Sequence, residues 1–317
     1  MSAAADPTAV LGELESRLDP AQPERTPGVS VLAYGEVSAC LRLAGLPGVV
    51  CKRMSGFTDE GSAQRYQDLV RTYLTELAGA GVPVVDTQIV PVPRPGRPPV
   101  VHLVQPELPV ASLGHSILRT ADDATVVGAV ERVLAATLRL AVADRERSDA
   151  LEVALDGQLS NWSFGPDATR LADPVLVDVG TPFMRRAGRH LVDIGWLETP
   201  IPPVVRTYYH RRALVGAYLD DYYDPRLVAV DLLGNFHKEG RGDRVPLGVD
   251  VVNRWLARDA VVLGTRDPVT AEEVEKYYRS DADLLALYLR LRRADRFLRT
   301  KVLRKPYDFV LPGPVTR

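Results

Sequence analysis

The chain has 317 residues, of which 46% are hydrophobic and 25% are charged, as in an ordinary soluble globular protein. Its formal net charge of −2 provides no whole-molecule field for nucleic acid or a membrane surface, so neither is an expected partner. The two cysteines, Cys40 and Cys51, show no zinc-site spacing and argue against a disulfide-stapled secreted module, which favours a reducing environment.

The amino-terminal segment MSAAADPTAVLGELE has no basic region followed by an uninterrupted apolar run, so we expect no signal peptide. No stretch of the chain reaches 18 consecutive apolar residues, which leaves no candidate for a membrane span. The sequence therefore predicts a cytoplasmic protein, and it leaves the oligomeric state open.

The first hundred residues predict the order β-β-β-α-β-β after a short leading helix. Asp6 and Pro7 are suited to begin that helix, because proline is preorganised for the first helical turn. Leu69, Tyr73 and Leu77 recur at three- and four-residue spacing and predict a second, amphipathic helix. β-Branched runs separated by glycine and proline turns predict the strands. The predicted bounds are 8–18 and 59–79 for the helices, and 29–34, 37–43, 49–54, 84–92 and 99–105 for the strands.

The segment VQPELP, residues 104–109, contains two prolines and predicts a connector between two lobes. Beyond it the pattern becomes mainly helical, with a long helix over 121–142 and further helices from residue 185 onward. Three short predicted strands interrupt this helical pattern. Their bounds are 151–155, 161–164 and 174–178.

This order of elements is typical of an α+β protein, in which strands and helices are segregated along the chain. We expect an amino-terminal extension over residues 1–28. A small β-rich lobe, a five-stranded sheet with one helix, is predicted over 29–105. A larger helical lobe with the two prolines at its start is predicted over 106–317.

Three polar residues stand close to predicted strand ends in the second half of the chain. Asp156 and Asn161 bound the short segment DGQLSN, and Asp178 lies within LVDVGTPF. Carboxylate and amide oxygens are ligands that Mg²⁺ favours, but aspartate and asparagine are also common in turns. Each residue alone is therefore weak evidence for a metal site. The order of the surrounding elements has to decide between a metal site and a polar turn.

A strand tipped by lysine, a helix, a proline-containing connector and then this segment resemble the protein-kinase-like superfamily. Within it, the resemblance is to the aminoglycoside and choline phosphotransferase branch. Those kinases have a catalytic loop of the form H-G-D-x-x-x-x-N, which is similar to the stretch from Leu155 to Asn161. The resemblance implies a two-lobed kinase-like fold with ATP and Mg²⁺ as cofactors. It also implies that Asp156 aligns the acceptor hydroxyl and takes its proton, while Asn161 and Asp178 bind the metal.

The resemblance also implies the phosphate-binding residues of the β-rich lobe. Lys52 ends the third strand in VVCKRM, where the family has the lysine that contacts the α and β phosphates. Gly35 and Ser38 lie in the first β-turn, where the family has its phosphate-covering loop. The acidic partner of Lys52 stays open between Glu60 and Asp68, and Asp68 is preferred because it lies inside the predicted helix.

The connector between the lobes matches the adenine-binding hinge of the family, which implies roles for Gln105, Glu107 and Leu108. Two features depart from the family pattern. Leu155 replaces the histidine of the catalytic loop, and the phosphate loop has one glycine, Gly35, instead of several. A catalytically degenerate protein therefore stays an open alternative.

The function predicted on this basis is an ATP·Mg-dependent phosphotransferase acting on a hydroxyl of a small molecule. The acceptor would be antibiotic-like, sugar-like or a secondary metabolite. Two alternatives stay open: a pseudokinase-type scaffold that binds nucleotide or peptide in a modifying complex, and a kinase of Ser or Thr in a precursor peptide. The sequence does not name the acceptor or decide between ATP and GTP.

Near the carboxyl terminus the run LRLRRADRFLRTKVLRK combines basic and apolar residues. In and just before it, Leu287, Leu291, Phe297 and Leu298 lie on apolar rows. This pattern predicts a packed helix whose basic face is solvated.

An aromatic run, Tyr208-Tyr209-His210, is followed by the pair Tyr222-Tyr223 beside Asp220 and Asp221. Aromatic faces and carboxylates favour cations, so these residues could line a pocket for a cationic or sugar-like acceptor. Tyrosines at this spacing are more often core or interface residues, and we adopt that interpretation.

Overall fold

The amino-terminal part of the protein is a five-stranded antiparallel sheet with strand order β1-β2-β3-β5-β4. The structure, a computed structural model, describes residues 6–35, 37–165, 171–203, 205–207 and 214–312. The strands are β1 (Val29–Tyr34), β2 (Ser38–Leu43), β3 (Val49–Met54), β4 (Gln88–Arg94) and β5 (Arg97–Pro106). The predicted five-stranded sheet is confirmed, and with it the α+β class.

Two helices, α1 (Pro7–Arg17) and α2 (Glu60–Gly79), accompany this sheet. Neighbouring residues on a strand point to opposite faces, so the sheet contributes to two apolar clusters. Leu41 and Cys51 lie in the cluster that Leu11 of α1 completes. Leu103 lies in the other cluster together with Val70 of α2, and this cluster continues into the helical part of the molecule. The two sides of the sheet are thus covered by different parts of the chain.

The helix α2 begins where the sequence predicts it. Asp59 and Ser62 form a capping box, in which each side chain bonds to the other residue's backbone N–H. The strand that follows starts later than predicted, because Val84 forms an isolated bridge with Leu176 from the second half of the chain. The segment before β4 therefore joins the sheet to the helical part instead of lengthening the strand.

The second half of the chain is mainly helical, as predicted. Asp122 caps the long helix by accepting a hydrogen bond from Thr125 N over 2.8 Å. A short helix before it, α3, was not predicted. Helices of this half include α3 (Gly114–Thr120), α4 (Asp123–Glu146), α5 (Ile194–Leu197), α6 (Leu214–Asp220), α7 (Pro225–Lys238), α8 (Val245–Leu263) and α9 (Ala271–Phe297).

Short strands interrupt these helices, and five of them are β6 (Leu151–Val153), β7 (Trp162–Ser163), β8 (Val175–Leu176), β9 (Met184–Arg186) and β10 (Arg189–His190). The first three confirm the predicted strands in shortened form. The prediction of helix from residue 185 onward is wrong at its start, because β9 and β10 form a hairpin. Ala187 and Gly188 both have positive φ, 49° and 74°, as a two-residue hairpin turn requires.

After α9 the chain returns to the amino-terminal sheet. Tyr307, Phe309 and Val310 are buried there. Between them Asp308 pairs with Arg94 over 3.0 Å and also pairs with Arg97. The last described segment of the helical half is therefore fixed to β4 and β5 by both apolar and ionic contacts.

The helix α9 is packed as predicted, but three of the four apolar residues predicted to be packed are exposed, and Leu291 is half-buried. Leu287 and Phe297 are 44% and 64% exposed, and Leu298 is exposed too. The helix has 27 residues and packs on α7, which has only 14, so at 1.5 Å per residue it extends past its neighbour. Among the described residues no helix is both long and apolar enough to cross a bilayer.

Candidate active site

Lys52 and Asp178 form an ion pair at the centre of the candidate site. The backbone of Lys52 is held between Cys40 of β2 and Leu103 of β5. Lys52 Nζ donates to Asp178 Oδ1 over 2.5 Å, and Gly180 N donates to the same oxygen over 3.0 Å. Partial burial opposes both charges, but their mutual attraction prevails, so the pKa of Lys52 is raised and the pKa of Asp178 is lowered.

Asp156 and Asn161 lie at the two ends of a tight loop after β6. Asp156 Oδ1 accepts a hydrogen bond from Gln158 N over 2.9 Å, and the Asn161 side chain bonds to the same carboxylate. Asn161 O accepts from Val177 N over 2.8 Å, which holds this loop beside the segment that carries Asp178. Burial raises the pKa of Asp156, and the nearby Asp178 carboxylate acts in the same direction. The structure thus brings Lys52, Asp156, Asn161 and Asp178 together.

A further carboxylate, which is buried, lies behind the loop and was not predicted from the sequence. Gln158 Nε2 donates to both oxygens of Asp231 over 3.1 Å, and Gln158 Oε1 accepts from Lys238 Nζ over 2.9 Å. Burial, reinforced by the Asp156 carboxylate, raises the pKa of Asp231 to about 8. The available signal was a single aspartate inside the apolar run VAVDLLGNF of α7.

Two tyrosines of α2 attach the helix to the site and were also missed. The Tyr66 hydroxyl donates to Gly180 O over 2.9 Å, and the Tyr73 hydroxyl donates to Ala154 O over 2.8 Å. Both tyrosines are buried, and each bonds to a residue two positions from a carboxylate of the site. Their seven-residue spacing puts both on one face of the helix, which is the signal that the sequence offered.

The structure contradicts the assignment of Asp68 as the partner of Lys52. Asp68 is exposed, and its Oδ1 accepts hydrogen bonds from Arg71 and Gln64. The physical reason is helical phase: Asp68 follows Tyr66 by two residues, about 200° around the axis, and so points away from the site. Lys52 pairs with Asp178 instead.

The first β-turn holds Gly35 and Ser38 at the end of the sheet. Gly35 N donates to Ser38 O over 3.0 Å, and a side chain at position 35 would collide with Ser38 Oγ. Arg292 of α9 donates to Gly35 O over 3.5 Å, so a residue from the far end of the chain also contacts this turn. Glu36, between the two strands, lies outside the described residues.

The three residues predicted for the hinge lie at the end of β5, which continues to Pro106. The Gln105 side chain is directed inward, where Nε2 donates to Val177 O over 3.0 Å, beside Asp178. Glu107 N donates to Gly48 O over 2.8 Å, and its carboxylate pairs with Arg42. Leu108 follows directly and is half-buried. Gln105 therefore connects the end of β5 to the Asp178 segment.

A family model described as "Family of unknown function (DUF6206)" matches residues 13–296. The chain belongs to this family. No curated protein matches it. The solved structure of "WaaP in complex with acyl carrier protein" is similar to it over 81% of this chain and 93% of that chain, with 12% identity and a TM-score of 0.32.

The donor set of this DUF6206 chain fits Mg²⁺ held together with a nucleotide. Asp178 and Asn161 offer carboxylate and amide oxygens, the hard ligands that Mg²⁺ prefers. Among the described residues no group of three or more His, Cys, Asp or Glu side chains could hold a metal ion. Mg²⁺ bound to phosphates usually takes one or two carboxylates from the protein and the remaining ligands from phosphate and water. The site therefore suits a metal–nucleotide complex better than a cage made only by protein.

A cavity of about 250 Å³ lies beside the start of the loop at 155–161, lined in part by Leu155, Tyr222 and Tyr223. The Tyr222 ring packs on Phe183 with ring centroids 4.2 Å apart. Asp220 pairs with Arg185 over 3.0 Å. The aromatic run at 208–210 lies outside the described residues. In the DUF6206 chain, the second tyrosine pair is thus both packed and close to the loop.

Proposed function

We propose that this protein is an ATP·Mg²⁺-dependent phosphotransferase that phosphorylates a hydroxyl of a small molecule. The observation that carries the proposal is the convergence of Lys52, Asp156 and Asp178 from three distant segments of the chain. A structural ion pair would account for Lys52 and Asp178 alone. It would not account for the half-buried Asp156 carboxylate beside Asp178, since two neighbouring carboxylates repel each other and such clusters are favoured at functional sites.

In this proposal each residue has a separate task. Asp156 orients the acceptor hydroxyl and accepts its proton, and its raised pKa makes it a stronger base than an ordinary aspartate. The hydrogen bond from Gln158 N fixes the orientation of that carboxylate. Lys52 offsets the negative charge of the nucleotide phosphates, and Asn161 and Asp178 would hold the metal. When bound, MgATP supplies the phosphoryl group and the metal charge that stabilises it.

The proposal also assigns a separate function to each of the two parts of the chain. Residues 29–105 would form the nucleotide-binding lobe, with the first β-turn over the phosphates and Gln105, Glu107 and Leu108 at the adenine. Residues 106–317 would form the catalytic lobe, and residues 1–28 an extension. The branch that we propose is that of the aminoglycoside and choline phosphotransferases, acting in the cytoplasm on a small molecule or on a precursor peptide.

Nucleotide binding measured with and without Mg²⁺ tests the proposal. We expect the wild type to bind ATP more tightly with Mg²⁺, and the Asp178→Ala variant to lose this difference. The Asp68→Ala variant is the matched control, because it removes an exposed aspartate that pairs with Arg71. Binding that is independent of the metal and unchanged in Asp178→Ala would overturn the metal–nucleotide assignment.

ATP turnover against a panel of hydroxylated acceptors tests the chemistry separately. We expect Asp156→Ala to lower kcat by about two to four orders of magnitude, the usual contribution of a general base, while ATP affinity is retained. One observation favours a scaffold instead: none of the acidic residues of α2 bonds to Lys52 within the described region, and Leu155 replaces the family histidine. Nucleotide binding without turnover of any acceptor would support that second function.

A further inference from the structure

The carboxyl-terminal end of α9 forms an exposed tip, defined here as residues 296–305. Four large apolar side chains of the tip are exposed to solvent. They are Phe297 at 64%, Leu298 at 40%, Val302 at 60% and Leu303 at 51%. Isolated exposed apolar residues are normal on a protein surface, but a contiguous group usually marks an interaction site.

A local change of helix type gathers these four side chains on one side. Residues Leu298–Val302 form a π-helical turn, in which Leu303 N donates to Leu298 O over 2.9 Å. A π turn has more residues per turn than an α-helix, so side chains four and five positions apart lie on the same side. Phe297 and Leu298 are therefore aligned with Val302 and Leu303. Such turns are found frequently at functional sites.

The same ten residues carry a strong local charge. Arg296, Arg299, Lys301, Arg304 and Lys305 are basic, and the segment contains no acidic residue. Arg299 is paired with the buried Asp295, while Lys301, Arg304 and Lys305 are exposed. The whole chain has a net charge of only −2, whereas this segment has basic residues and no acidic one, so the tip is locally positive.

The base of the tip is fixed to the rest of the molecule on both sides. Arg292, one turn before Phe297, is buried, and its guanidinium lies 5.4 Å from the ring of Phe309. Tyr307 follows the tip and is buried as well. Arg304 has a positive φ of 52°, which reverses the chain toward Tyr307. The apolar side chains thus project from an anchored support.

We propose that this tip docks on an anionic membrane surface, with Phe297, Leu298, Val302 and Leu303 inserted among the lipids and the basic side chains at the headgroups. A basic segment with aromatic and aliphatic residues on one side has the composition of a membrane-interface element. Lysine and arginine near an anionic leaflet each add to the attraction. Binding of this kind needs no spanning helix and does not depend on phosphotransfer.

Other occupants fit the tip less well. A stable protein interface needs roughly 800 Å² from each partner, far more than four side chains on a convex tip provide. A second copy of the chain would bring two equally basic tips together, and like charges repel. Nucleic acid would engage the cations but would leave the four apolar side chains in water.

Vesicle co-sedimentation of the full chain tests the proposal. The wild type is expected to bind vesicles of phosphatidylcholine mixed with phosphatidylglycerol, and to bind pure phosphatidylcholine only weakly. Added salt should weaken the binding, because it screens the basic side chains. The variant Phe297→Ser combined with Val302→Ser should lower the partition coefficient by about tenfold or more, since two large side chains lose their burial in lipid.

The matched control is Val261→Ser, which replaces an apolar residue that is 78% exposed on α8, outside the tip. It is expected to bind vesicles like the wild type. A second variant, Lys301→Glu with Lys305→Glu, should reduce binding to the anionic vesicles. The proposal is overturned if the wild type does not bind anionic vesicles, or if Val261→Ser weakens binding as much as the tip variants. Unchanged binding of the Phe297/Val302 variant would overturn it too, and equal thermal unfolding of all variants excludes misfolding.

Discussion

Lys52 Nζ lies 2.5 Å from Asp178 Oδ1, although 126 residues separate the two in the sequence. The contact joins β3 of the sheet to the segment that follows β8. It also leaves each charge partly neutralised before any ligand arrives. This pair is the centre of the site, and the other candidate residues are arranged around it.

A double-mutant cycle with Lys52→Met and Asp178→Asn measures how strongly this pair stabilises the fold. The Asp178 side chain is 41% exposed, so solvent screens the attraction, and we expect a coupling of about 0.5–1 kcal/mol. Urea unfolding of the four proteins gives this energy directly. A coupling of several kcal/mol would mean that the pair mainly stabilises the fold. That result would contradict a binding site in which Lys52 and Asp178 exchange their mutual contact for contacts with a ligand.

The hydroxyls of Tyr66 and Tyr73 are expected to position the two carboxylate segments. Tyr66→Phe and Tyr73→Phe each leave a buried carbonyl without its donor, so each should lower the free energy of unfolding by about 1–2 kcal/mol. Turnover per folded molecule should fall as well, because the carbonyls belong to Gly180 and Ala154. Thr75→Val is the matched control on α2, since its hydroxyl bonds to Arg71 O on the exposed side. Loss of stability with full turnover would limit the tyrosines to a structural role.

Asp231 makes stability depend on pH in a direction opposite to that of an ordinary paired carboxylate. Its pKa is raised from 3.8 to about 8, by burial first and by Asp156 second. Between these two pH values the folded protein retains a proton that the unfolded chain has released. Rising pH therefore lowers stability, by up to about 1.4 kcal/mol for each pH unit.

The Asp231→Asn variant removes this titration. Relative to wild type it should gain stability as the pH rises from 3.8 toward about 8, and the difference should be constant above that range. Urea unfolding of both proteins across this interval is the measurement. Asp283→Asn, at an exposed position of α9, controls for the loss of one acidic group. If the wild type instead became more stable relative to Asp231→Asn as the pH rises, the raised pKa of Asp231 would be contradicted.

Much of the fold was predictable because its signals are local. The three leading strands, the amphipathic period of α2 and the capping aspartate of α4 are each encoded within a few residues. The hairpin at residues 184–190 escaped prediction because its turn depends on Ala187 with a positive φ, which alanine rarely adopts. The exposed end of α9 escaped because it depends on the length of α7, and an apolar row does not reveal how far its neighbour extends.

The site was predictable only in part, for a similar reason. The structure does bring together the four residues that the resemblance to kinases predicted, which are Lys52, Asp156, Asn161 and Asp178. Their roles stay predictions. The prediction of Asp68 depends on its position inside a helix, which does not define the direction in which its side chain points. Asp231 approaches the loop from α7, and no spacing rule connects it with Asp156. Such contacts are set by packing between distant elements.

The buried ion pair between Glu15 of α1 and Arg53 of β3 is expected to be a main determinant of stability. Both side chains are almost fully buried, and Arg53 donates to Glu15 over 2.7 and 2.9 Å. His102 Nε2 lies 2.9 Å from the same carboxylate. Glu15→Gln would leave the Arg53 charge buried without a full counter-charge, so we expect a loss of about 3–5 kcal/mol in the free energy of unfolding.

Glu13→Gln provides the matched control, because Glu13 lies on the same helix and also forms an ion pair, with Arg17. Its side chain is 74% exposed, and exposed pairs of this kind contribute at most about 1 kcal/mol. Both substitutions remove one negative charge and keep the shape of the side chain. The difference in unfolding free energy between the two variants, measured in urea, therefore reports the effect of burying the ion pair. If the two variants lose equal stability, the attachment of α1 to the sheet depends on its apolar residues, such as Leu11, and not on the buried charge.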